Sequence, residues 1–153
     1  MPAYFIYPIY TAALAFALVA IVPKTHIRQE AIYAITFGGV GSVVIIFIYS
    51  IINAFEWINM GPFGYRDIAF FPPLAWTMYF IIYFYLLPRE KLWIYLYVIF
   101  AACYSTLFSN VLMNLEILQW NKGRVVLPFL LYLSWFAVVT WIYTRIHQAE
   151  REQ

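Results

Sequence analysis

Charge is what this chain has least of. Of its 153 residues only 10% are charged, while 65% are hydrophobic; a soluble globular domain carries about 25% charged residues. So few charges cannot cover a surface in water, and lipid is the natural solvent. Cysteine is almost absent: Cys103 stands alone, which excludes an intrachain disulfide, and its place inside an apolar run suits a small packing residue better than a redox centre. Histidine is limited to His26 and His147, both in connectors between apolar runs. No His, Cys or carboxylate pair has metal-ligand spacing within a run, so neither a metal, a haem nor any other cofactor is expected. The formal charge of +2 comes from scattered residues, which argues against a nucleic-acid partner.

Aromatic residues, by contrast, reach 22% of the chain, with 14 Tyr, 14 Phe and 6 Trp. Trp and Tyr favour the membrane–water interface, and Trp57, Trp93 and Trp120 fall at the ends of apolar runs. Tyr79, Tyr83 and Tyr85 lie deeper and need partners for their hydroxyls.

Five apolar runs are long enough, or nearly so, for the ~20 helical residues that cross a bilayer. They cover 4–22, 31–55, 68–87, 92–113 and 125–144. This predicts an all-α, polytopic integral membrane bundle of about five transmembrane helices forming one domain over 1–153. No basic residue precedes the first run, and Pro23-Lys24 follows it, a pattern that predicts an uncleaved first helix rather than a secretory signal. With the N-terminus outside, the cytoplasmic segments hold Lys24, Arg28, Arg89, Lys91, Arg145 and Arg151, six of the nine Lys and Arg. The positive-inside rule therefore favours an outside N-terminus and a cytoplasmic C-terminus.

Within the runs, small and polar residues mark the helix-facing sides. Gly38, Gly39, Gly41 and Ser42 in the second run predict a close approach by a neighbouring helix. Pro72 and Pro73 suit the first turn of the third helix. In the fourth run Ala101, Ser105 and Ser109 repeat every four residues, as do Ala102, Thr106, Asn110 and Asn114. Both rows fall on one broad face, expected to point into the bundle and to fasten helices rather than to bind a ligand.

The longest interruption is Asn53–Asp67, and a second lies at Leu115–Arg124. The expected topology brings both to the outer side. There Asn53, Glu56, Arg66, Asp67, Asn110, Asn114 and Glu116 form the candidate ligand-binding set, with Asn53 and Glu56 read as sharing a helix face. A carboxylate among amides would suit an ion, a proton or a small polar ligand. The plainer alternative pairs Glu56 and Asp67 with Arg66, Lys122 or Arg124 at the lipid headgroups. No catalytic Ser-His-Asp or Cys-His set can be assembled, so an enzyme is not expected.

The order of Pro23-Lys24, Glu56-Trp57, Asp67 with Pro72-Pro73, then Asn110, Asn114, Glu116 and Gly123 resembles the layout of small polytopic membrane proteins of spore-forming Gram-positive bacteria. The resemblance implies the same architecture and a bacterial cell membrane, and it implies no activity. The leading expectation is a non-enzymatic accessory or structural subunit of a membrane complex. Its partners would be the lipid bilayer and other membrane subunits or copies of itself. Ion or small-ligand handling at the outer polar cluster, and lipid or quinone binding in an aromatic slot, are the alternatives.

Overall fold

The computed structural model describes residues 2–65 and 68–151. It is an all-α helical structure with a few short strands. Its two compact units are Met1–Leu86 with Leu112–Asn121, and Leu87–Val111 with Lys122–Gln153.

The first unit opens with a 3-10 turn, Ala3–Phe5, that leads into α1, Ile6–Ile21. Val22 and Pro23 are extended, and the chain reverses into α2, Lys24–Ala34. A π-helical segment, Ile35–Val40, joins α2 to α3, Gly41–Ile51. After a loop comes α4, Phe71–Tyr85, with Pro at the first positions as expected from its sequence. Proline fits there because the first-turn N–H groups have no intrahelical acceptor.

Ala3–Ile21 and Lys24–Ile51 are both long and apolar enough to cross a membrane. The helix at Lys24 starts seven residues before the apolar run, because Lys24, Arg28 and Glu30 extend it beyond the apolar stretch. By length α4 falls short, at 15 residues or roughly 22 Å at 1.5 Å per residue. It is nevertheless the centre of its unit, burying Pro72, Ala75, Phe80, Ile81, Tyr83 and Phe84. Its start meets the start of α1 through Phe63, whose ring lies 5.3 Å from Phe71 and 6.0 Å from Tyr4. At its far end Tyr85 lies 5.2 Å from His26, at the start of α2. Thus α4 runs the length of α1 in the same direction.

The glycines of the second run do what their spacing predicts. A Cβ on Gly38 would lie 2.5 Å from the Trp76 carbonyl oxygen, so two backbones meet there. At Gly39 the nearest atom is the Thr77 hydroxyl oxygen, 2.9 Å away. Phe37 and Phe84 extend the same seam, with centroids 6.4 Å apart.

The expected helix through Phe55 stops earlier. Asn53 has φ 50; its N–H donates to the Ser50 carbonyl (3.1 Å) and the Ala54 N–H to the Tyr49 carbonyl (2.9 Å). That pair of bonds is a Schellman termination. It turns the chain into β1, Phe55–Trp57, which pairs antiparallel with β4, Leu118–Trp120. A short hairpin, β2 (Gly64–Tyr65) with β3 (Ile68–Ala69), precedes α4.

In the second unit lies most of α5, Lys91–Asn114, whose last three residues belong to the first. The rest of this unit is α6, Val126–Arg151. Lys91–Asn114 and Val126–His147 are the remaining membrane-length segments, so four such helices occur among the described residues. The polar rows of α5 are buried as expected at Ala101, Ala102, Ser105, Thr106 and Ser109.

Candidate functional site

The two long connectors meet as a cap on the first unit. Phe55 stands opposite Trp120, Glu56 opposite Gln119 and Trp57 opposite Leu118. Strand alternation puts Phe55 and Trp120 inward, where both are buried, and leaves Glu56 and Gln119 exposed. The Ile58 and Asn59 N–H groups both donate to the Ile117 carbonyl, and the Asn121 N–H donates to Ala54.

The candidate residues take different parts. Asn53 and Glu56 do not share a helix face: Asn53 terminates α3 and Glu56 sits on β1. Glu116, with φ 54, ends α5 in the same way. Its N–H donates to the Met113 carbonyl and the Ile117 N–H to the Leu112 carbonyl, each at 3.0 Å. Asn114, the last residue of α5, is exposed, as are Asn53, Glu56 and Glu116. Asn110 belongs to the second unit, where its amide donates to the Thr106 carbonyl at 2.9 Å and the Arg124 carbonyl at 3.0 Å. It fastens the approach to α6 onto α5. Arg66 and Asp67 lie outside the described residues.

Two features were not legible as site residues. The first is Glu30, which the sequence places in a cytoplasmic connector and the structure places on α2. It is 7% exposed, one helical turn before the buried Ala34, and it engages polar or charged surroundings. A buried carboxylate on a membrane helix is costly unless so engaged.

The second is a small aromatic cleft beneath the cap. Trp57 packs edge-on against Tyr7 (5.8 Å) and Phe55 (5.1 Å). Tyr4, Phe63 and Phe71 close another side, and the cleft holds about 20 Å³, room for roughly one water-sized group. The loop reaches this position because Gly61 adopts φ +54 directly against the Tyr4 ring, where a Cβ would lie 2.5 Å from ring carbon. Trp57 Nε1 is buried and has no hydrogen-bond partner among the described residues.

Among the described residues no group of three or more His, Cys, Asp or Glu is placed to hold a metal ion. The geometry offers a structural cap, an engaged buried carboxylate and one unanswered donor. Comparison with known protein families, curated proteins and solved structures finds no match to this chain.

Proposed function

We propose that the chain is a non-enzymatic subunit of a membrane assembly, seated beside another helical protein or a second copy of itself. The observation that carries this reading is an exposed ridge on α5. Trp93, Leu96, Phe100, Tyr104, Leu107 and Val111 are 37–71% exposed and recur every three or four residues, so they line one face. The opposite face carries the buried Ala101, Ala102, Ser105, Thr106 and Ser109.

We read that ridge as a protein-facing surface. Tyr and Trp in a bilayer gather at its interfaces, whereas Tyr104 lies about 20 Å along a helix of about 36 Å at ~1.5 Å per residue. Tyr104 carries its ring on this exposed face at mid-depth, and we read it as the contact point for a packed neighbour. The positive-inside bias supports an outside N-terminus and a cytoplasmic C-terminus, with the strand cap on the outer face. For the kind of membrane, the layout resemblance is the sole support for a bacterial cell membrane.

The chain provides its own probe. Cys103 is its one cysteine and is exposed on α5, next to Tyr104. A short thiol-directed photocrosslinker at Cys103, activated in native membranes, should give a single product of discrete mass, reduced by Tyr104→Ala. Adducts of lipid alone would contradict the proposal.

A further inference from the structure

We propose that the end of α6 holds the phosphodiester of an anionic membrane lipid on the Arg145 guanidinium, with Trp141 fixing that guanidinium in place. The guanidinium carbon of Arg145 lies 5.8 Å from the centroid of the Trp141 ring, within the reach at which an aromatic face attracts a cation. Both residues are exposed, so a ligand reaches them without rearrangement. Arg145 stands at the end of the membrane-length segment Val126–His147. Trp141 is one turn nearer the bilayer centre, about 6 Å along the axis. A long cationic side chain at a membrane boundary ordinarily extends its head toward water. Here the head is turned back over the deeper ring, and Arg145 has no carboxylate partner among the described residues.

A charge drawn to that depth calls for a counter-charge, and the anion at the boundary of the hydrocarbon is the lipid phosphodiester. The guanidinium suits it, because its planar fork offers paired N–H donors to two phosphate oxygens. The indole beneath restricts the plane of the fork and leaves its edge open. In a zwitterionic lipid the headgroup's own amine competes for the phosphate, so the site favours a headgroup without one. The helix continues the site into the bilayer. Leu130, Ser134 and Val138 recur every four residues on the side of Trp141. Leu130, Val138 and Trp141 are 50–61% exposed, and Ser134 is exposed between them. The Ser134 hydroxyl donates to the Leu131 carbonyl at 2.9 Å, so it presents no unanswered donor to an acyl chain. The row is a track for the chain of a lipid whose headgroup sits at Arg145.

The test uses the whole protein in nanodiscs of phosphatidylglycerol and phosphatidylcholine in equal amounts, with the same acyl chains. Native mass spectrometry counts the lipids retained on release. The natural chain is expected to keep one phosphatidylglycerol with about tenfold preference, the scale of one charge-assisted contact. Arg145→Gln should abolish the preference and Trp141→Leu should lower it. Lys122→Gln, in the connector before α6, should leave it unchanged. Equal retention of the two lipids by the natural chain would overturn the proposal whether or not any variant folds. So would an unchanged preference in folded Arg145→Gln or Trp141→Leu, or an equal loss in Lys122→Gln, which would make the preference a matter of overall charge. A phosphate adduct in discs of phosphatidylcholine alone with added inorganic phosphate would also overturn it, by assigning the site to the free anion.

Discussion

Asn53 and Glu116 hold the same backbone conformation, φ 50 and φ 54, at the ends of two different membrane helices. Each sits at the left-handed position of a Schellman motif, and each is followed within two residues by a strand of the same two-stranded sheet. The residues behind each motif, Ala54 in one case and Leu112 with Ile117 in the other, are almost wholly buried. The cap is therefore built by two helices that stop in the same way and hand their chains to each other.

Left-handed geometry costs an ordinary L-residue about 1–2 kcal/mol, and less for Asn. Glu116→Gly is therefore expected to stabilise the protein by about 1 kcal/mol, and Asn53→Gly by less. Glu116→Val should destabilise it. Equilibrium unfolding in a mild detergent checks the order. If the Glu116 carboxylate were essential to binding or assembly, the stabilised Gly variant would be inactive, so the two roles separate.

The contact of Gly38 with Trp76 is backbone against backbone. Gly38→Ala must push α4 away from the π segment and is expected to cost about 1–3 kcal/mol, as overpacked cores do. Gly39→Ala meets only the Thr77 hydroxyl, which donates to the Pro73 carbonyl at 2.8 Å, so its cost should be smaller. Thermal unfolding of the two variants side by side decides this.

These two sets of residues also show what can be read without coordinates. Apolar length located four membrane-length helices, because crossing hydrocarbon demands about 20 apolar residues whatever the tertiary structure; it overcounted at 68–87, where prolines and a short hairpin leave a helix of 15 residues. The glycine cluster and the Ala/Ser/Thr rows were legible because close helix approach requires small residues at helical spacing. The strand pairing was not. Phe55–Trp57 and Leu118–Trp120 are three residues each, too short for alternation to register, and sixty residues lie between them. A run ending in Asn-Ala-Phe-Glu looks like continuing helix until Asn53 turns left-handed. The burial of Glu30 is not legible for another reason: with Lys24 and Arg28 it looks like part of a solvated connector, whereas all three belong to α2.

Asn110 reads as a fastener rather than a ligand. Asn110→Ala should cost about 0.5–1.5 kcal/mol, the ordinary net worth of a hydrogen bond. Asn110→Asp should cost more, since a carboxylate replaces the donor between two carbonyl oxygens. A ligand-binding role would instead leave stability nearly unchanged and abolish binding. Unfolding curves for both variants distinguish these outcomes.

Glu56 and Glu30 make a contrasting pair. Glu56 is exposed on β1, and Glu56→Gln should change stability by less than about 0.5 kcal/mol, as surface substitutions do, and leave assembly intact. Glu30 is enclosed, and Glu30→Ala should destabilise by about 1–3 kcal/mol by leaving its polar surroundings unanswered. Glu30→Gln, which keeps shape and hydrogen-bonding capacity, should cost less. The same unfolding assay, read with the assembly state, tests all three.

Native mass spectrometry of the protein released gently from its own membrane tests the subunit reading most directly. The predicted result is a discrete mass excess, equal to another polypeptide or to a second copy of this chain, that weakens in Tyr104→Ala. A bare monomer under extraction conditions that keep other membrane complexes from the same preparation intact would contradict it.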